Sequence, residues 1–92
     1  MKSILQAEKE CYICKRKTML ECHHIFPGNH LRKISEQNGF KVYLCHFCHN
    51  EPPYGVHFNR ENMDKLKKEC QRKYEETHTR DEFMKLIGRN YL

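Results

Sequence analysis

The alternation of hydrophobic and polar positions predicts two short strands early in the chain and helices after them. Residues 1–10 are polar apart from Ile4 and Leu5 and read as a short arm or helical turn. Thr18 to His23 reads as a strand running into the turn at Pro27-Gly28, with Cys22 facing the core and alternating with the histidine beside it. Asn29 is placed to cap a helix over residues 30–38, with Leu31 and Ile34 on its buried side and Gly39 just past its end. Phe40 to Leu44 has the aromatic and β-branched character of a second strand. Antiparallel pairing of the two strands would bring Cys45 back beside Cys11.

A helix begun at residues 45–51 is cut short by Pro52-Pro53. Asn59 suits the N-cap of a longer helix over residues 60–77, where Met63, Leu66, Cys70 and Tyr74 form one apolar stripe. Thr79-Arg80-Asp81-Glu82 matches a capping box, so a last helix starts at Arg80, docks through Phe83, Leu86 and Ile87, and ends at Gly88. No repeat, low-complexity run or linker divides the chain. Residues 1–92 read as one small α+β domain.

Size changes this picture first. Ninety-two residues with 38% hydrophobic content and no Trp make a marginal core, so a metal or disulfide staple is physically useful. Met1 to Gln6 lacks the apolar run of a signal peptide, and no segment is long and apolar enough to span a bilayer. The expected setting is therefore a reducing cytoplasm with no membrane partner. There, six cysteines that include two C-x-x-C pairs point to metal ligands rather than disulfides. A net charge of +5 leans toward polyanions such as nucleic acid.

Cys11, Cys14, Cys45 and Cys48 carry the strongest chemistry. Two thiolates two residues apart can grip one Zn²⁺ from a tight turn, and two such pairs thirty residues apart fit a closed tetrahedral site. Its binding energy is folding energy. Cys70 falls on the helical stripe and reads as a core residue. Lys15-Arg16-Lys17, following the first pair, reads equally well as a phosphate-facing run or a solvated loop tip. Adjacent His23 and His24 would point to opposite faces of a strand, so both serve one site only if the strand ends or bends between them. His49 and His57 are further candidates, whereas His30, His46 and His78 read as surface residues.

Taken together, C-x-x-C, then His23-His24-Ile25-Phe26-Pro27, then Leu44-Cys45-His46-Phe47-Cys48-His49 resembles the HNH endonuclease family over residues 11–59. The helices over residues 60–92 and the Val56-His57-Phe58-Asn59 turn before them look like the small HNH proteins of bacteriophages and prophages. The resemblance implies a ββα-metal, treble-clef-like fold: a hairpin and helix around one divalent metal, with a double C-x-x-C zinc staple.

Carried over by position, the resemblance makes His24 the general base and His23 and His49 metal ligands. The family's middle Asn, which orients the base's loop through hydrogen bonds, falls to Asn38, with Asn29 and Asn50 as rivals. A further family ligand one turn after His49 would fall on Pro53, which cannot ligate, so His57 is expected to substitute by folding back across the prolines. Imidazole ligands suit Zn²⁺, Ni²⁺ or Mn²⁺ better than Mg²⁺, while the family's tolerance keeps Mg²⁺ and Mn²⁺ as the ions expected in use.

The implied function is metal-dependent DNA cleavage in a bacterial host, with phosphate contacts from Lys15, Arg16, Lys17, Arg32 and Lys33. A phage packaging protein could add specificity. The competing expectation is a zinc-stapled module that binds nucleic acid or protein without turnover.

Overall fold

The computed structural model describes residues 2–92. Two strands, β1 (Leu20–His24) and β2 (Lys41–Cys45), pair antiparallel with Leu20 opposite Cys45 and His24 opposite Lys41. Between them runs helix α1 (Asn29–Asn38), and α2 (His46–Asn50) follows β2 directly. The chain then turns through Pro52-Pro53 into α3 (Arg60–Tyr74) and α4 (Arg80–Ile87). The fold is a small α+β unit built on one two-stranded hairpin.

The local signals account for most of these boundaries. The Asn59 side chain accepts the Asn62 amide at the start of α3. Thr79 and Glu82 make both bonds of the capping box at the start of α4, satisfying amides that a helix start leaves unpaired. Gly39 and Gly88 close α1 and α4 in the left-handed region, at φ 73° and 84°, which glycine enters without a Cβ penalty.

Several expectations are corrected. Asn29 is the first residue of α1 and Gly28 precedes it as cap, with no side-chain capping bond. Helix α3 stops at Tyr74, and residues 75–77 form a turn. Both strands lie one residue or more later than their patterns suggested, so β1 extends through His24. Residues 2–10 form neither helix nor strand but are docked: the Ile4 amide donates to the Gly39 carbonyl, and the Tyr43 amide donates to Gln6 Oε1.

The core is aromatic where the hairpin meets the C-terminal helices. Phe26 packs edge-on against Phe40 and Phe83, and Phe40 against Tyr74. Phe26, Phe40 and Phe83 are fully buried. Gln71, also fully buried, donates to Asn90 and accepts the Tyr91 amide, so the C-terminal tail is tied down and Tyr91 rests against Phe26. Cys70 is buried on the α3 stripe as expected. No helix among the described residues is long and apolar enough to cross a membrane.

Candidate metal centres

The hairpin and α2 assemble two clusters of ligating side chains. In the first, Cys11, Cys14, Cys45 and Cys48 bring their sulfurs within 4.8 Å of one another. Cys11 and Cys14 lie on a tight turn in which the Lys15 amide donates to the Cys11 carbonyl, with Lys15 itself at φ 68°. Cys45 ends β2, and Cys48 is on α2. Cys14 and Cys45 Sγ are 3.6 Å apart. A zinc tetrahedron with bonds of ~2.3 Å has edges of about 3.8 Å, so this spacing suits a shared ion and is far too long for a disulfide.

The backbone also prepares one of these thiols for charge. Burial raises the Cys11 thiol, but the backbone amides of Cys14, Cys45 and Ile13 outweigh it and bring the group down to about 6. Cys11 is thus the thiol prepared for ionisation. Burial and then the Cys45 and Cys11 thiols push Cys48 up. At Cys14 the Arg16 amide is outweighed by burial and the neighbouring cysteines, so that thiol also goes up. The four cysteines can hold a structural metal such as zinc.

The second cluster is His23, His49 and His57, with one ligating nitrogen from each within 4.8 Å of the others. His23 comes from β1, His49 from α2, and His57 from the turn after Pro52-Pro53. His57 is brought back by its own amide, which donates to the His49 carbonyl, and by Val56, whose amide donates to the Cys48 carbonyl. Its ring Nε2 sits 2.9 Å from His49 Nε2. Neighbouring vertices of an octahedron with ~2.1 Å bonds are about 3.0 Å apart, so the spacing suits two ligands on one ion as well as an N–H···N hydrogen bond between the rings.

Polar accounting tests the fit. His23 is 2% exposed, and its Nε2 is the one buried side-chain nitrogen or oxygen among the described residues without a hydrogen-bond partner. Burying such an atom unpaired costs about 1–3 kcal/mol, which a metal bond would offset. Burial, followed by the charges of His49 and His57, lowers His23 to about 3, so the ring is neutral and its lone pair available near neutral pH. Burial, then His49, also lowers His57.

Glu21 completes the arrangement and carried no signal in the sequence. Its carboxylate accepts from His49 Nδ1 at 2.8 Å, from Asn50 at 2.9 Å and from His46 at 3.1 Å. With Nδ1–H donated to Glu21, His49 keeps the Nε2 lone pair for the cluster. This carboxylate–histidine pairing fixes the tautomer that ligation requires. Asn50 is thus tied to His49 and Glu21.

His24 takes a different position, because the strand neither ends nor bends between it and His23, the condition on which both were expected to serve one site. Because β1 runs through it, His23 and His24 alternate: His23 enters the buried cluster while His24, the last strand residue, turns to α1. There it lines a groove of about 630 Å³ with Asn29, Arg32, Lys33 and Glu36. His24 remains near enough to His23 for its charge to help depress that ring. Asn38 is not brought to this groove: its amide donates to the Ile34 carbonyl within α1, and Glu36 is the α1 side chain that meets His24.

The same alternation overturns the expected orientation of Cys22. With His23 buried, Cys22 points the other way and is exposed. Lys15, Arg16, Lys17, Arg32 and Lys33 are all exposed, and only the last two lie beside His24. His30, His46 and His78 lie on the surface as expected. No family model matches the chain, and neither a curated protein nor a solved structure does.

Proposed function

We propose that this protein is a metal-dependent DNA endonuclease of the HNH type, with a zinc-stapled ββα-metal core of treble-clef-like form. The observation that carries this reading is the convergence of His23, His49 and His57 with a buried His23 nitrogen left unpartnered. Three imidazoles with exposure on the His57 side resemble a catalytic site with open positions more than a closed structural one. A divalent ion held there (Mg²⁺, Mn²⁺, Ni²⁺ or Zn²⁺) would stabilise the charge developing on the phosphate and the leaving 3′ oxygen.

The chain's own residues handle the proton and the substrate. On this reading His24, although it faces α1 rather than the imidazole cluster, accepts the proton of the attacking water from the groove side, a role that imidazole suits near neutral pH. Arg32 and Lys33, in the same groove, hold the phosphate backbone without reading sequence, and Lys15, Arg16 and Lys17 extend the basic surface. So small a domain offers little surface for base readout, so cleavage with low sequence preference is expected. On this reading the protein works in a bacterial cytoplasm as a phage or prophage product. A packaging protein is the proposed source of specificity.

Plasmid nicking by zinc-loaded protein with Mg²⁺, Mn²⁺ or Ni²⁺ tests the reading. Wild type should convert supercoiled DNA only with added metal, and His24→Ala, folded and zinc-bound, should lose at least about 100-fold in rate. Absence of cleavage with every metal leaves a zinc-stapled binding module instead. Activity retained in His24→Ala removes the base assignment.

A further inference from the structure

We infer that Glu36 is the positioning residue for His24, clamped by Lys41 so that its carboxylate holds the imidazole through Nε2 and leaves Nδ1 as the basic atom. The inference rests on the reading of His24 as general base and adds the group that orients it.

The arrangement follows from the register of the hairpin. His24 pairs with Lys41 across the two strands, which sets the two side chains beside each other. Helix α1 folds back over this pair. Arg32, Lys33 and Glu36 fall at three- and four-residue spacing, on one face of α1, and all three line the groove with His24. The two carboxylate oxygens of Glu36 are then divided. Oε2 is bound by the Lys41 ammonium, and Oε1 lies 3.5 Å from His24 Nε2.

The division matters because a carboxylate on a free side chain would sample many positions, whereas one held by Lys41 presents its second oxygen to a fixed place. His24 is only 16% exposed and Lys41 20%, while Glu36 is 49% exposed, so the imidazole and the ammonium are shielded and the carboxylate that joins them lies at the rim of the groove. Lys41, and after it His24, hold the Glu36 carboxyl below its ordinary range, which keeps an ionised acceptor present whenever the imidazole is neutral. An imidazole that donates Nε2–H to a carboxylate has its lone pair on Nδ1, and its ring is fixed against rotation. Asn38, the residue first expected to orient the base, is occupied within its own helix. Glu36, one half-turn earlier, supplies the acceptor in its place.

The test uses zinc-loaded full-length protein with ¹⁵N-labelled histidine, comparing wild type, Glu36→Ala and Glu36→Gln. Wild type should show a His24 Nε2–H resonance protected from solvent exchange. Glu36→Ala should lose that resonance while keeping zinc and its circular dichroism. Its nicking kcat should fall about 10- to 100-fold with KM changed less than about twofold, the signature of lost orientation rather than lost binding. Glu36→Gln, which retains an acceptor oxygen, should recover the resonance and part of kcat. A resonance that is absent in wild type, or that survives in Glu36→Ala with kcat intact, overturns the inference. A changed KM with unchanged kcat also overturns it, because Glu36 would then act on DNA binding alone. A Glu36-dependent resonance in a protein that cuts no DNA supports the clamp and removes the nuclease reading, so the two failures are separable.

Discussion

The cysteine and histidine clusters share a helix but are built on different principles. Cys48 and His49 are neighbours on α2, yet one enters the sulfur cluster and the other the imidazole cluster. The cysteines come as two local pairs, one on a tight turn and one at the junction of β2 and α2, and three of the four are buried. The histidines arrive singly from a strand, a helix and a loop, and their exposure rises from buried His23 to exposed His57. A closed set of thiolates fits a metal that holds the fold, whereas an open set of imidazoles leaves room for a further ligand on any ion it holds. The difference teaches that local chain geometry brings the first cluster together, whereas the packing of separate elements brings together the second.

Removing one ligand from the sulfur cluster should therefore give the largest effect. Cys45→Ser breaks a site whose binding free energy, about 10–16 kcal/mol in small zinc domains, rivals the ~5–15 kcal/mol total stability of a domain. The expected result is loss of bound zinc together with loss of near-ultraviolet circular dichroism and of a cooperative melt. A variant that loses zinc but melts cooperatively near the wild-type temperature would show that the aromatic core around Phe26, Phe40 and Phe83 suffices. The contrast between the two clusters would then collapse.

A smaller effect is expected at the imidazole cluster, and without unfolding. Glu21→Ala removes the acceptor that fixes His49, and loss of such a carboxylate lowers metal affinity about 10- to 100-fold. Calorimetric titration of the zinc-loaded variant with Mn²⁺ or Ni²⁺ reads the change, while zinc content should stay at the wild-type level. Unchanged affinity would reduce Glu21 to a surface partner of His46. Loss of zinc as well would mean that the two clusters form one cooperative unit.

The same contrast explains how much was legible in the sequence. Cys11, Cys14, Cys45 and Cys48 announced themselves because thiolate pairing in a turn is local, as are the caps at Asn59, Thr79 and Gly88. The imidazole cluster depended on where the chain returned in space: His49 and His57 stood out as candidates beside the paired histidines, but only the resemblance gave them ligand roles. Strand parity was misjudged at Cys22, because an apolar thiol looks like the inward residue and an imidazole like the outward one. The burial of His23 reverses both. Glu21, Glu36 and Gln71 were invisible because a carboxylate or amide at an ordinary strand or helix position gives no pattern. Their roles exist only once β1, α1 and the C-terminal tail are packed.

The smallest expected effect lies farthest from both clusters. Thr79→Ala removes the side-chain acceptor of the Glu82 amide at the start of α4 and with it one half of the capping box. Loss of such a cap costs about 1 kcal/mol, which for a domain of this length lowers Tm by roughly 4–8 °C. Helix α4 reaches the rest of the molecule through Phe83 and Ile87, which pack in the aromatic core rather than against either set of ligands. Zinc content and Mn²⁺ affinity should thus match wild type while the thermal melt shifts. If Thr79→Ala weakened Mn²⁺ binding by tenfold or more, the ring stack running from Phe83 through Phe26 and Phe40 to the hairpin would be transmitting helix stability to the imidazole cluster. In that case the open site would depend on the packing of the whole chain as well as on the three residues that form it.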